Sequence, residues 1–350
     1  MIRTSLDSFI RGIPKAEIHV HIEGTLEPEM LLQMARHHGL PAPYSSAEAC
    51  RSAYHFKDLQ HFLNLYYAGV TVLLNEQDFF DLTAAYLRRA SMDGVRHAEI
   101  FFDPQSHVAR GVPFGGVVAG ITRALDAGER TLGISWRLIM CFLRDQPAQN
   151  ALETLERALP YRDVIAGVGL DSAEMGHPPT EFAEVFAKAR RAGFLAVAHA
   201  GEEGPAEYIT EALNILHVTR IDHGVRAIDD RALEARLAKE RVPLTMCPLS
   251  NLRLQVITDL ADHPLKRFLD AGLCVTVNSD DPAYFGGYVA ENYVAAQSAL
   301  GLTRSDIANL ARNSITASWL SASRRSLLLA EIDAFVARTT HEDEAVATAD

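Results

Sequence analysis

Two histidines near the start of the chain have the spacing expected of metal ligands. His19 and His21 lie in segment 15–24 (KAEIHVHIEG), which alternates polar and apolar residues and is predicted to be a strand. Residues two apart on a strand point to the same face, so both imidazoles converge. Such a pair suits a borderline-soft divalent cation, zinc above all. An H-x-H pair also occurs by chance on surface strands, so partners elsewhere in the chain decide between the two interpretations.

Composition excludes several classes of protein. The 350 residues are 48% hydrophobic and 22% charged, as in a globular protein, and the length fits two domains or one α/β barrel. The formal net charge of −12 argues against a nucleic-acid partner, because affinity for phosphate backbones comes from lysine and arginine. No membrane segment or signal peptide is apparent, and the four scattered cysteines suit reduced thiols, so a cytoplasmic protein is expected.

Strand and helix patterns alternate along most of the chain. Eight segments are predicted as strands: 15–24, 95–103, 134–142, 164–170, 194–198, 219–222, 243–246 and 273–277. Most are continuous apolar runs, as expected for strands covered on both faces, and helical patterns such as 181–192 and 230–240 separate them. The sequence therefore predicts an α/β fold, a (β/α)8 TIM barrel, as a single domain over residues 1–340.

Two regions are not explained by this alternation of strands and helices. A helical pattern from 27 to about 93 follows the first strand and is far longer than a usual βα connection. We expect a helical insertion that forms a wall or lid, in which Phe62, Leu65 and Tyr66 either line a pocket or belong to the core. Extra helices are predicted beyond residue 303, and the acidic tail 341–350 is expected to be disordered.

Polar residues collect where the predicted strands end. The set is His19, His21, His199, Glu202, His223, Asp280 and Asp281. Each residue alone has an ordinary explanation, such as a hydrogen-bonded core histidine or a carboxylate that caps a helix. A (β/α)8 barrel keeps its active site at the carboxyl ends of its strands, so all of them are expected in one place. Three imidazoles and one carboxylate form a metal site with room for water.

The motifs around these residues resemble those of the adenosine/adenine deaminase family of the amidohydrolase superfamily. They are H-x-H-x-[DE]-G at 19–24, H-A-G-E at 199–202, H-G at 223–224 and S-D-D-P at 279–282. The resemblance extends from about Pro14 to at least Tyr293, and the alternative zinc deaminase pattern with P-C-x-x-C is absent from the sequence. It implies one zinc ion per subunit, with the ligands His19, His21, His199 and Asp280.

The resemblance also implies the chemistry of the site. A water molecule activated by the metal would attack C6 of a purine, and the 6-amino group would leave as ammonia. Glu202 would carry a proton to N1, His223 would orient and help to deprotonate the water, and Asp281 would share a hydrogen bond with N7. The implied partner is a small-molecule purine, and the sequence does not define the oligomeric state.

Two residues that differ from the adenosine deaminase pattern favour a free purine base over a nucleoside as the substrate. Glu23 replaces their ribose-binding aspartate, and Glu174 replaces a glycine whose backbone approaches N3. We expect Glu174 to fill part of the ribose space and to accept a hydrogen bond from the N–H that only a free base possesses; an exposed loop acid is the alternative. Glu23, Gly169 and Ser172 are further expected substrate contacts.

The predicted activity is zinc-dependent conversion of adenine to hypoxanthine and ammonia in purine salvage. Related hydrolytic activities stay open, on adenosine, on an N6-substituted adenine or on another 6-aminopurine nucleoside. A metal-free barrel that serves as a binding module is the non-enzymatic alternative, and it is disfavoured because every expected ligand and proton carrier is present.

Overall fold

Within residues 6–347, whose backbone the computed structural model describes, nine strand segments pair in parallel at the centre of the fold. Side chains are described through residue 340. The strands are β1 Lys15–His21, β2 Val95–Phe102, β3 Ser135–Leu143, β4 Ile165–Asp171, β5 Leu195–Ala196, β6 Ala198–Ala200, β7 Ile221–His223, β8 Pro243–Met246 and β9 Cys274–Val277. Strands β1 to β5 pair in chain order in one sheet, and β6 to β9 do so in a second.

The two sheets join at both edges to form a barrel. Strands β5 and β6 are two halves of one barrel strand, and Val197 between them donates its N–H to the Val168 carbonyl of β4 at 3.0 Å. At the other edge, the Asp280 N–H donates to the His19 carbonyl at 3.1 Å, and the His21 N–H donates to the Asp280 carbonyl at 3.0 Å. The predicted (β/α)8 barrel is confirmed, with its eight strands in the predicted order.

Helices cover the outside of the barrel. They are α1 Leu6–Gly12, α2 Pro28–His37, α3 Ala47–Ala53, α4 Leu59–Gly69, α5 Glu76–Met92, α6 Pro104–Val108, α7 Phe114–Leu132, α8 Ala148–Ala158, α9 Ala183–Arg191, α10 Ala206–Glu211, α11 Arg231–Glu240, α12 Pro248–Arg253, α13 Leu265–Asp270, α14 Pro282–Phe285, α15 Val289–Leu300, α16 Arg304–Ala317 and α17 Ala322–Ala347. Helix α5 begins at a capping box between Asn75 and Asp78, and Asp230 caps α11. Their apolar faces pack on a core that extends from Phe9 to Ile332.

The predicted helical insertion is confirmed and consists of α2 to α5, between β1 and β2. Its helix α4 packs aromatic side chains against α14: the rings of Phe62 and Phe285 are 4.7 Å apart, and those of Tyr66 and Tyr284 are 5.8 Å apart. Phe62 and Tyr66 also line a cavity at the mouth of the barrel, whereas Leu65 packs partly buried against the core. The insertion is therefore one wall of that cavity.

Strand β1 ends earlier than the sequence predicted. It stops at His21, and Glu23–Thr25 form a 3-10 turn instead of continuing the strand. The turn passes directly over Asp281: a Cβ on Gly24 would lie 2.6 Å from the Asp281 Cγ and 2.7 Å from its Cα. Glycine is required here because the backbone and the carboxylate occupy the space of a side chain.

The C-terminal helix α16 packs against strands β1 and β9 and against α17. Between α16 and α17, Trp319 packs against the inner cluster of Phe101, Ile139, Cys141 and Val197. The expected disordered tail stays a prediction: it overlaps the end of α17 at 341–347, and 348–350 lie outside the described residues. None of the helices in the described part of the chain is both long and apolar enough to span a bilayer.

Candidate active site

Four buried side chains converge where β1, β6 and β9 end. His19 and His21 point to the same side of β1, His199 lies on β6, and Asp280 follows β9. One ligand-type atom from each residue lies within 4.8 Å of the others. The structure thus brings together all four residues that the sequence indicated as metal ligands.

The donor atoms of this cluster fit a divalent cation. Nε2 of His21 lies 3.2 Å from Nε2 of His199, and both His19 Nε2 and His21 Nε2 lie within 3.5 Å of Asp280 Oδ1. His19 Nε2 is buried and makes no hydrogen bond. Three imidazole nitrogens and a carboxylate oxygen aimed at one point form the N/O ligand set that zinc prefers.

The outer nitrogens of these imidazoles face hydrogen-bonding groups. His19 Nδ1 lies 2.8 Å from Thr245 Oγ1, whose hydroxyl donates to Asp222 Oδ1 at 2.9 Å. The other Asp222 oxygen lies 3.8 Å from His199 Nδ1, and Asp171 Oδ2 lies 3.6 Å from His21 Nδ1. Acceptors beside Nδ1 favour a proton there, which leaves Nε2 free to bind a metal.

The charges at the site suit metal binding at neutral pH. Burial lowers the pKa of His21 to about 4 and that of His199 well below its usual value, so both rings are neutral. Burial alone would raise the pKa of Asp280, but His19 beside it holds that pKa well below the usual range. Neutral imidazoles and an ionised carboxylate are the forms that bind a cation.

Glu202 lies next to this cluster, on the loop that follows β6. Its carboxyl group is buried, and Oε2 lies 3.5 Å from His223 Nε2. Burial, followed by the charge of Asp280, raises the pKa of Glu202 well above its usual value. The site therefore contains a carboxyl group that favours its protonated form, as a general acid requires.

His223 ends β7 with a left-handed backbone conformation, at φ 64°. This uncommon conformation directs its imidazole toward the cluster, where Nε2 lies 3.8 Å from Asp280 Oδ2. On the other side of the ring, Nδ1 lies 3.3 Å from Asn251 Nδ2. Burial, followed by His19, lowers the pKa of His223 to about 3, so the ring is neutral.

Asp281 follows Asp280 and lies directly before α14. Its carboxyl group lines the cavity, and Oδ1 is buried without a hydrogen-bond partner. Burial, followed by the charge of Asp280, raises its pKa well above the usual value. A protonated Asp281 can donate a hydrogen bond to an acceptor in the cavity.

The cavity above these residues contains about 390 Å³ of empty space, part of which is open to solvent. Polar groups from the strand ends form its floor, and helix α4 covers it with Leu59, Phe62, Leu63, Tyr66 and Tyr67. Ser172, at φ 74°, also lines it and holds Tyr67 through a 3.0 Å contact between their hydroxyl oxygens. An apolar wall facing a few polar groups is typical of a site for a small planar ligand.

Three of the expected substrate contacts do not line the cavity. The Glu174 carboxylate accepts hydrogen bonds from four successive backbone N–H groups at 201–204 instead of facing a ligand. Glu23 Oε1 lies 2.8 Å from His107 Nε2 and accepts the Asp103 N–H. Gly169 lies against Cys141, whose Sγ would be 2.5 Å from an added Cβ. The carboxylates of Glu174 and Glu23 thus bond to the protein around the site, and Gly169 has no side chain that could reach the cavity.

Two cavity residues were missed by the sequence analysis. Asp103 and Asp171 follow or end β2 and β4, and both line the cavity. Burial raises the pKa of Asp171 to about 7, and burial followed by Asp171 raises that of Asp103 well above its usual value. The same rule that selected the other residues, a polar side chain at a strand's carboxyl end, would have selected these.

Fold and site together define the class of protein. A buried cluster of three imidazoles and one carboxylate at the carboxyl ends of the strands of a (β/α)8 barrel is the arrangement of the amidohydrolase superfamily. Beside that cluster lies Glu202, whose raised pKa favours the protonated form that an acid in the hydrolysis of a carbon–nitrogen bond must have.

Comparison with known proteins identifies the family. A family model described as adenosine deaminase matches residues 14–335, and the chain belongs to this family as a hydrolytic deaminase. An adenine deaminase of Cupriavidus necator is 59% identical over 95% of both chains, and one of Chlorobium phaeobacteroides is 56% identical over 94% of this chain and 98% of that protein. The chain thus resembles the adenine deaminase branch closely.

Solved structures agree with this assignment. The crystal structure of an adenine deaminase from Arthrobacter aurescens is 51% identical, covers 93% of this chain and 99% of its own, and superposes with a TM-score of 0.92. An amidohydrolase from Burkholderia ambifaria with bound zinc is 28% identical, covers 97% of this chain and 96% of its own, and has a TM-score of 0.87.

Proposed function

We propose that this protein hydrolyses adenine to hypoxanthine and ammonia at a mononuclear zinc site. The observation that carries the proposal is the convergence of His19, His21, His199 and Asp280 beside a buried, proton-retaining Glu202. Relatives named adenine deaminase at up to 59% identity support adenine as the substrate. The reaction converts one purine base into another, which is the chemistry of purine salvage.

The four clustered residues would hold the metal. The chemistry of this donor set fits zinc, and the related amidohydrolase from Burkholderia ambifaria binds zinc. Zinc, when bound, lowers the pKa of a coordinated water molecule toward neutrality and so supplies a nucleophile. The remaining steps belong to side chains of this chain.

Glu202 is the general acid. An aromatic C6 is a poor electrophile until N1 is protonated, because the ring must accept the electron pair as the C6–O bond forms. The raised pKa of Glu202 favours the protonated carboxyl group that this transfer requires. The Glu202 carboxylate left by this transfer accepts the proton that water loses as the C6–O bond forms and passes it to the leaving amino group, and the proton of the C6 hydroxyl then restores the acid.

Asp281 and His223 orient the two reactants. A protonated Asp281 donates a hydrogen bond to N7, a ring nitrogen with a free lone pair. His223 lies beside Glu202 and Asp280 and orients the attacking water. Holding water and C6 in a reactive geometry contributes to the rate because less orientational freedom is lost on the way to the transition state.

The covered cavity supports a free base as substrate. Side chains of α4 close over the strand ends, and the contact between Tyr67 and Ser172 joins this helix to the loop after β4. A free base needs less room below these side chains than a nucleoside does, because a nucleoside adds a ribose to the same ring. The relatives' names and this enclosure support the same substrate.

Removal and restoration of zinc tests the proposal. The protein treated with a chelator should lose adenine turnover, and one equivalent of zinc per chain should restore it, with hypoxanthine and ammonia formed in equal amounts. Full turnover by protein that contains no metal, or zinc-restored protein that leaves adenine unchanged, would overturn the proposed function.

A further inference from the structure

Three hydrogen bonds connect a backbone amide of α13 to the imidazole of His223. The Leu265 N–H donates to Nδ1 of His263 at 3.2 Å, and Nε2 of His263 lies 3.1 Å from Oδ1 of Asn251. Nδ2 of Asn251 in turn lies 3.3 Å from Nδ1 of His223. All three side chains are buried, with at most 3% of their surface exposed.

The backbone amide fixes the direction of every bond in this series. An amide N–H can only donate, so Nδ1 of His263 must be the acceptor and the proton of the neutral ring is on its Nε2. That Nε2–H requires the oxygen of Asn251 as its acceptor, which turns the Asn251 NH2 group toward His223. Nδ1 of His223 therefore accepts as well, and the proton of His223 is on Nε2.

The rings of His263 and His223 are both neutral. Each therefore carries one proton, and the position of that proton decides which nitrogen donates a hydrogen bond. Burial lowers the pKa of His263 to about 3, and His223, whose Nδ1 accepts from Asn251, has no second proton on that nitrogen. A neutral imidazole has one N–H and one lone pair, so a ring that accepts at Nδ1 must donate at Nε2.

We propose that Asn251 and His263 are positioning residues that hold His223 as the Nε2–H tautomer, so that His223 donates a hydrogen bond to the attacking water oxygen and does not accept its proton. The role toward water rests on the proposed function. Nε2 of His223 faces the cavity between Glu202 Oε2 at 3.5 Å and Asp280 Oδ2 at 3.8 Å. The proton that water loses as the C6–O bond forms then passes to the Glu202 carboxylate, which has already given its own proton to N1.

This tautomer differs from the role that the sequence analysis gave to His223. A histidine that deprotonates water needs a lone pair on the nitrogen facing it. Here that nitrogen carries the proton, and its N–H stabilises the oxygen as negative charge develops on it. The segment C-P-L-S-N at 247–251 places Asn251 behind the ring, on the short helix α12.

Nitrogen-15 NMR of the full-length, zinc-loaded protein, labelled at the histidine rings, measures the tautomer directly. Protonated and unprotonated nitrogens of a neutral imidazole give well-separated resonances, and the spectrum of His223→Gln assigns those of His223. We expect His223 and His263 to carry their protons on Nε2. A proton on Nδ1 of His223 in the wild-type protein would overturn the proposal without any further variant.

The substitution Asn251→Asp tests the function of the tautomer. It replaces the NH2 donor with an acceptor of the same shape and so moves the His223 proton to Nδ1. We expect kcat to fall roughly 10²- to 10⁴-fold, with KM and zinc content close to those of the wild type. Unchanged nitrogen-15 shifts of His223 in this variant, or shifted resonances with unchanged kcat, would contradict the proposal.

Asn292→Asp is the matched control. Asn292 is equally buried and its Oδ1 accepts the Leu249 N–H of α12, but its side chain has no hydrogen bond with His223. We expect this variant to keep the His223 resonances and to lower kcat less than tenfold. The tautomer is measured whether or not adenine is turned over, so a failure of the proposed substrate is distinguishable from a failure of this inference.

Discussion

The N–H of Glu202 donates to the carboxylate of Glu174 at 3.0 Å, so one glutamate anchors the loop that carries the other. The N–H groups of Gly201, Glu203 and Gly204 donate to the same carboxylate at 2.7 to 2.9 Å. Buried N–H groups of a tight loop need acceptors, and a single carboxylate supplies them here. Glu174 thus fixes the position of the proposed general acid from behind.

Substitution of Glu174 should therefore change catalysis more than substrate preference. In Glu174→Gln an NH2 group replaces one oxygen and faces N–H donors, which leaves buried groups unpaired at a cost of about 1–3 kcal/mol. We expect kcat to fall about 10- to 100-fold, with zinc content and the adenine-to-adenosine ratio unchanged. Steady-state kinetics on both substrates, with the exposed Glu207→Gln as control, measures this. A changed substrate ratio at unchanged kcat would show that Glu174 contacts the substrate.

Glu202→Gln should retain zinc and lose most turnover. An amide keeps the size of the side chain but cannot transfer a proton to N1, so kcat should fall by about 10² to 10⁴. Its neighbour Glu203 accepts the Leu59 N–H of α4 at 3.2 Å, and Glu203→Gln should lower kcat much less. Single-turnover assays with metal analysis compare the two variants. Equal losses in both would remove the special role of Glu202.

The candidate active site could be located from the sequence because its position follows from the order and direction of the barrel strands. Polar residues at the carboxyl ends of parallel strands meet at one mouth of a barrel whatever the details of packing. His19, His199 and Asp280 lie far apart in the chain, yet their strand positions sufficed to bring them together. Asp103 and Asp171 obey the same rule, and Asp171 even lies within the segment 169–174 from which only its neighbours Gly169, Ser172 and Glu174 were selected.

Side-chain direction could not be predicted in the same way. Glu174 lies three residues beyond the end of β4, where a small change in backbone path decides whether the carboxylate faces the cavity or the loop. Glu23 follows a strand that ends early, and it turns toward His107 instead of the cavity. Neither turn has a sequence signal as strong as the strand pattern.

Gly24 should be intolerant of even one methyl group. A Cβ at this position would lie 2.7 Å from the Asp281 Cα, so Gly24→Ala must displace Asp281, the residue proposed to bind N7. We expect kcat/KM to fall at least about tenfold and stability to fall by about 1–3 kcal/mol. Gly116→Ala on α7 is the control, since its Cβ would meet only Pro113 at 4.0 Å. That variant should keep full activity and gain at most about 1 kcal/mol; full activity of Gly24→Ala would contradict the geometry.

Acid should release the metal only at unusually low pH. Burial lowers the pKa of His21 to about 4, so its lone pair stays available well below the usual histidine range. Between about pH 6.5 and 4 the unfolded chain binds a proton at His21 that the folded state does not, so this residue lowers stability as the pH falls through that window. Metal analysis after gel filtration at each pH should show loss near pH 4 to 5. Loss of the metal centred near pH 6.5, where an exposed histidine titrates, would contradict the burial of the histidine ligands.

The central claim, a zinc-dependent deaminase for free adenine, is tested most directly by one assay. The ultraviolet absorbance of adenine and of adenosine is followed side by side with zinc-loaded protein. The site predicts rapid loss of the adenine absorbance and negligible change with adenosine, because α4 covers the cavity above the strand ends. Faster turnover of adenosine, or no turnover of adenine, would contradict the account.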